Sequence, residues 1–264
     1  MVAKLAVFLA SLVGGVFGAA LPAASDKVSI EKRDHLKVSY LWAVGSDYNL
    51  PDDYSQKTDD AWRKVELEFE MKIFEKSSTT AWISMNGAFC LDDPTGLGPS
   101  APATSLPVDP SQCNGKGCLP SNCVLPLWGD YYLPKNAESQ RIVRLTYHYP
   151  SGAPQIGHHY HISWVVCRKG SKAGSAVQYE DCGSDRIGFV MNVFKSHPGQ
   201  FYVYYGEMPA NTPGIIGAQS FPKFIQTSGT PKPYQGSLSC AVIDTITGNV
   251  TAGKSREDCS PAGA

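Results

Sequence analysis

Between Val65 and Phe74 the chain alternates strictly: Val65, Leu67, Phe69, Met71 and Ile73 are interleaved with Glu66, Glu68, Glu70 and Lys72. Period two puts the apolar side chains on one face of an extended backbone and the charges on the other, whereas a helix would scatter them around its circumference. The pattern predicts a strand with one buried and one wet face. Further strands are predicted over Leu36–Val44, Thr80–Met85, Arg141–Tyr149, His158–Cys167, Ile187–Phe194, Gln200–Tyr205, Phe221–Thr227 and Ser237–Ile243. These runs are rich in Val, Ile, Tyr, Phe and Trp and are bounded by Gly- and Pro-containing turns. One short helical turn is predicted over Lys57–Arg63, capped by Thr58-Asp59-Asp60. So many strands and so little helix predict a mostly β, single-domain antiparallel β-sandwich or barrel over residues 34–264.

The periodicity fails from Leu91 to Pro126, a stretch rich in Pro, Gly and Ser. A loop of this length needs cross-links to stay ordered, and Cys90, Cys113, Cys118 and Cys123 lie at its root and along it. Together with Cys167, Cys182, Cys240 and Cys259 they make eight cysteines. An even number predicts four disulfides and no free thiol. The expected pairs are Cys167 with Cys182 across a turn and Cys240 with Cys259 at the C-terminus, leaving the other four to close the loop. A zinc site is the competing reading of Cys113, Cys118 and Cys123, but the tight Cys-x2-Cys hook of such sites is missing.

The N-terminus places these cysteines in an oxidising compartment. Lys4 precedes an apolar run from Leu5 to Val16, and the small residues Gly18, Ala19 and Ala20 follow. That layout predicts a secretory signal peptide over residues 1–20, its apolar run shorter than the ~20 residues of a membrane span. The Ala- and Ser-rich segment 21–33 ends in Lys32-Arg33 and reads as a pro-peptide cut after Arg33, as in many fungal secreted proteins. Asn249-Val250-Thr251 is an N-glycosylation acceptor in such a chain.

Removing residues 1–33 lowers the 23 basic and 24 acidic residues to 19 and 22. That balance, with no basic run longer than two, argues against general nucleic-acid binding. No later stretch is apolar enough to span a membrane.

Candidate chemistry centres on histidine. On a strand, His159 and His161 share a face and can both ligate one metal, with His148 or one of Glu66, Glu68 and Glu70 as the third ligand. Glu66, Glu68 and Glu70 also have the ~7 Å spacing of an inverting glycosidase pair, although a soluble wet face produces the same pattern. Glu180, Arg186 and His197, with His148 or His161, supply a base, a phosphate-neutralising cation and an acid. In this the stretch from Glu180 to His197 resembles small fungal guanyl-type ribonucleases, a likeness that implies an RNA-cleaving site. There is no Gly-x-Ser-x-Gly elbow and no phosphate-binding Gly loop, and no cofactor is implied. The many tyrosines, Tyr202, Tyr204 and Tyr205 among them, suit a binding surface.

The expectation is therefore a secreted, disulfide-rich, non-enzymatic binding protein, of the kind of a fungal host-directed effector or toxin-like virulence factor. Its partner is an extracellular or host protein or glycan. The alternative is a secreted hydrolase, ribonuclease-like or metal-dependent.

Overall fold

The computed structural model describes residues 36–44, 62–97, 105–113, 117–132, 140–147, 159–168, 185–206, 208–209, 212–227, 239–255 and 257–261, with backbone alone for 36–44 and 140–147. The signal, the pro-segment with Arg33, and His148, Glu180 and Cys182 lie outside these residues.

Two antiparallel sheets pack face to face as a sandwich that does not close into a barrel. The larger sheet contains β1 (Leu36–Val44), β6 (Tyr131–Tyr132), β7 (Gln140–Tyr147), β8 (His159–Arg168), β9 (Arg186–Phe194), β10 (Gln200–Tyr205), β13 (Cys240–Asp244) and β14 (Asn249–Gly253), in the order β1-β7-β8-β9-β10-β13-β14 with β6 beside β8. The smaller contains β2 (Trp62–Ile73), β3 (Lys76–Ser84), β4 (Phe89–Cys90), β5 (Asn122–Trp128), β11 (Ile215–Ser220) and β12 (Lys223–Gln226), in the order β12-β11-β5-β4-β3-β2. Trp62 and Arg63, expected to end a helical turn, instead open β2; residues 57–61 lie outside the described set.

The alternation in β2 works as the pattern requires. Val65, Phe69, Met71 and Ile73 are buried, and Glu66, Glu68 and Glu70 are exposed. They meet Tyr160, Ile162, Trp164 and Val166 of β8, Phe189 and Met191 of β9, and Phe201 and Val203 of β10 in one core shared by both sheets. Aromatic pairs fill it: Phe69 stacks on Tyr160 at 4.4 Å and Trp164 on Phe189 at 5.0 Å, centroid to centroid. Three polar tips cross it. The Trp164 indole donates to Ser84 O at 2.9 Å, Tyr205 Oη donates to Pro126 O at 2.7 Å, and Glu68 N donates to Tyr160 Oη. Each satisfies a group that would otherwise be buried at a cost.

The Leu91–Pro126 excursion has a definite job. Its later part is β5, and its described middle folds over the outer face of the smaller sheet. There Leu106 and Leu119 join Ala88, Cys90, Leu125, Trp128 and Ile215 in a second apolar cluster. Gln219 on β11 clamps it, accepting from Val108 N at 2.9 Å and donating to Val108 O at 3.2 Å and Pro120 O at 2.9 Å. The Cys90–Cys123 disulfide joins register partners on β4 and β5 and so closes the excursion at its root. Cys240–Cys259 forms as expected, and Cys167 is disulfide-bonded.

At one pair the structure shows no disulfide. Cys113 and Cys118 are thiols, Cys118 buried, with their sulfurs in hydrogen-bonding contact. Burial, then the neighbouring Cys118 thiol, pushes the Cys113 thiol up to about 12. A thiol so rarely ionised reacts slowly, but contact with a second sulfur lets the pair close once a protein or small-molecule disulfide accepts two electrons and the thiols release two protons. Protein made in a reducing cytosol should therefore take up alkylating reagent at Cys113 and Cys118 in denaturant without reductant. Secreted protein should take up none, and peptide mapping distinguishes the two.

The turn between β3 and β4 needs glycine. Gly87 has φ 77°, and a Cβ there would lie 2.1 Å from Leu127 O, a backbone atom that cannot move aside. Gly96 has a similar φ of 84° but open space around it. Gly96→Ala should cost about 1–2 kcal/mol, the left-handed penalty alone. Gly87→Ala should cost about 4 kcal/mol or more, because steric displacement of the sheet is added. Urea unfolding of both variants makes the comparison.

Candidate functional site

The shared core decides which way the histidines face. Tyr160 points inward to Phe69 and the Glu68 backbone. His159 and His161, its neighbours in sequence, therefore lie on the outer face of the larger sheet. The exposed side chains of Glu66 and Glu70 lie beyond the smaller sheet, so the whole core, roughly 10 Å between sheets, separates them from both histidines. None can be the third ligand. Among the described residues no three His, Cys, Asp or Glu side chains are grouped to hold a metal. His159 is 6% exposed and its ring lies 5.0 Å from that of Phe194, which in turn meets Tyr202 edge-on. His161 is half-buried, in register with Asn192. His159 belongs to a packed aromatic row.

The ribonuclease-like set is also separated. Arg186 opens β9, and His197 stands in the turn after it. Eight strand steps of ~3.3 Å put roughly 26 Å between the ends of β9, so the cation and the acid cannot act on one phosphate. His197 is exposed, with Nδ1 2.9 Å from Ser196 Oγ. Glu66 is held below its ordinary value by Lys64, 3.1 Å away, and by a hydrogen bond from Thr80. These partners are those of a solvated strand face, not of an acid–base pair.

The tyrosines expected at a binding surface are packed away, Tyr205 in the core and Tyr202 and Tyr204 on the outer face of the larger sheet. Tyr205 is buried, Tyr202 is buried with its phenol pushed up to about 12 by loss of solvent and by nearby Tyr204 and Asp244, and Tyr204 is half-buried with its hydroxyl donating to Cys259 O.

A different surface emerges at one end of the sandwich, where four turns meet. Lys72 N donates to Pro198 O at 2.9 Å, and Thr245 Oγ1 donates to Lys72 O at 3.2 Å and Gly199 O at 2.9 Å. These bonds join the β2–β3, β9–β10 and β13–β14 turns. Lys223 Nζ, 3.4 Å from Glu75 Oε1, adds the β11–β12 turn. Edge strands β12 and β14 run side by side here. Among the described residues the three exposed large apolar side chains are Phe221 (37%), Phe224 (46%) and Ile246 (57%); Phe221 and Ile246 sit in two of these turns, and Phe224 lies in β12 just after one of them. Lys195, His197 and Lys223 are exposed around them.

No helix among the described residues is long and apolar enough to cross a membrane. No protein-family model matches the chain, nor does any curated protein or solved structure compared with it.

Asp244 holds the corner's second turn. Its Oδ1 accepts from Ile246 N at 2.9 Å and Thr247 N at 3.0 Å, and its Oδ2 accepts from Gln200 at 2.9 Å. Partial burial pushes its carboxyl up, but these hydrogen bonds outweigh it and hold the group below its usual 3.8. A depressed carboxyl adds stability above its unfolded-state value, and that stability is lost as pH falls through the folded value. The turn should therefore loosen only below about pH 4. Hydrogen exchange at Ile246 and Thr247 should show that step in the wild type, and Asp244→Asn should flatten it.

Proposed function

We propose that this chain is a secreted, non-enzymatic binding protein, exported by a signal peptide over residues 1–20, trimmed after Arg33, and docking an extracellular or host protein through the corner of Phe221, Phe224 and Ile246. The observation that carries this reading is that the exposed large apolar side chains lie on or beside turns that hydrogen bonds and an ion pair tie together at one end of the sandwich. Grouped exposed apolar residues mark interaction sites, whereas scattered ones are ordinary. Aromatic side chains give large contact area at little entropic cost, and they dominate the centres of protein interfaces. The exposed Lys195 ammonium group and the Lys223–Glu75 ion pair would supply the polar rim. The separation of Arg186 from His197, and of the glutamates from His159 and His161, supports a binder over a hydrolase. A host-directed role, as in a fungal effector, is the wider setting.

The test starts from secreted protein, whose N-terminal residue should be Asp34. Captured on a surface and offered extracellular proteins of the target tissue, the wild type should retain a partner. Phe221→Ser with Phe224→Ser should weaken that binding by at least about 2 kcal/mol. His161→Ala should leave it intact, and circular dichroism should show both variants folded. Equal retention by the double variant would remove the corner as the contact surface, and loss confined to the histidine variant would turn attention back to metal chemistry.

A further inference from the structure

The corner lies against the chain's Asn-x-Thr sequon, and the geometry there is specific. Asn249 opens β14 directly after the turn carrying Ile246, and both Asn249 and Thr251 are exposed while Val250 packs on the core. Asn249 Nδ2, the atom that would carry a sugar, is 3.4 Å from Thr247 Oγ1. The side chain thus leans toward the turn instead of away from it. Gly248, with φ 74° and its N–H 3.0 Å from Asp244 O, fixes that turn, and Ile246 lies over Gly199. Ile246 is the most exposed large apolar side chain among the described residues.

We propose that Asn249 carries an N-linked glycan whose inner sugars cover Ile246, leaving the Phe221–Phe224 hairpin as the open part of the corner. The inference rests on the secretion reading above and deepens it, because it says which part of the surface a partner can reach. The transfer is balanced. Asn249 Nδ2 bonds to C1 of a lipid-linked oligosaccharide, the C1–O bond to the lipid diphosphate breaks, and the diphosphate leaves with the electron pair while Nδ2 gives up one proton. The remaining N–H still donates to Thr247 Oγ1, so the lean toward the turn survives modification. A pyranose ring has one face of C–H groups, and laying that face on Ile246 removes apolar surface from water on both sides. The opposite edge of the corner stays free because Phe224 is on the outer face of the smaller sheet, in register with Gln219.

The full chain secreted from a eukaryotic host supplies the test. Secreted wild type should lose mass on treatment with a peptide N-glycosidase, which removes the whole glycan, and Asn249→Gln and Thr251→Ala should not. Two independent ways of breaking the sequon guard against misfolding of either. After deglycosylation, fluorescence of an apolar-surface dye should rise for the wild type and for Phe221→Ser with Phe224→Ser, and stay level for Ile246→Ser, which keeps the sequon. Wild-type protein found in the medium with no mass loss overturns the inference and leaves the secreted-binder reading standing. Mass loss with no dye increase, or an equal increase in Ile246→Ser, shows that the glycan does not cover Ile246 and likewise overturns it. Absence of the protein from the medium overturns both.

Discussion

Three polar side chains crossing an aromatic core fix this structure. Tyr160, Trp164 and Tyr205 project from the larger sheet and hydrogen-bond to the backbone of the smaller one. A purely apolar interface lets two sheets slide, because contact energy varies little over small displacements. A buried indole or phenol does not, because a shift of an ångström or two leaves the donor and the carbonyl unpaired at a cost of about 1–3 kcal/mol each. The three bonds therefore set the register of sheet on sheet, and every feature at the ends of the sandwich follows from that register.

The outward faces are managed differently. The smaller sheet would expose Leu125, Trp128 and Ile215, and the cystine-rooted excursion covers them. Gln219 anchors it with three hydrogen bonds through one planar amide. A carboxamide suits the task because its oxygen accepts and its nitrogen donates twice. The larger sheet instead buries His159, Phe194 and Tyr202 as a packed row on its outer face. His159 here is an aromatic packing element, its ring set against that of Phe194.

The same register brings four turns to one end. Thr245 bridges two of them with a single hydroxyl, and Asp244 satisfies two backbone donors of the next turn. Turns tied in this way lose little entropy when a partner binds. Apolar side chains displayed on them are consequently better contact groups than the same residues on a free loop. A sugar at Asn249 would divide that display into a covered and an open half.

Much of the fold was legible along the chain, since period-two patterning depends only on local sequence. β1 and β10 run as the pattern predicts, and β2, β3, β7, β8, β9, β12 and β13 differ only at their ends. β5, β11 and β14 escaped because Pro126, Gly217 and a polar Asn-Val-Thr run break the usual signals. Pro126 and Gly217 lie where the β5–β11 register shifts, an irregularity that tolerates both residue types. The Cys240–Cys259 pairing was also legible, from its short sequence separation. The site was not. Whether His161 faces Glu66, or Arg186 meets His197, depends on which side of which sheet each strand presents, and that is decided by pairing between residues far apart in sequence. Most strands, the Cys240–Cys259 pair, the sequon and the export-like N-terminus are written in local residue order and were legible in the chain alone. That Tyr205 enters the core while Tyr202 packs on the outer face, and that the turns carrying Phe221 and Ile246 come to the same end of the sandwich, follows from packing between strands brought together from distant parts of the chain.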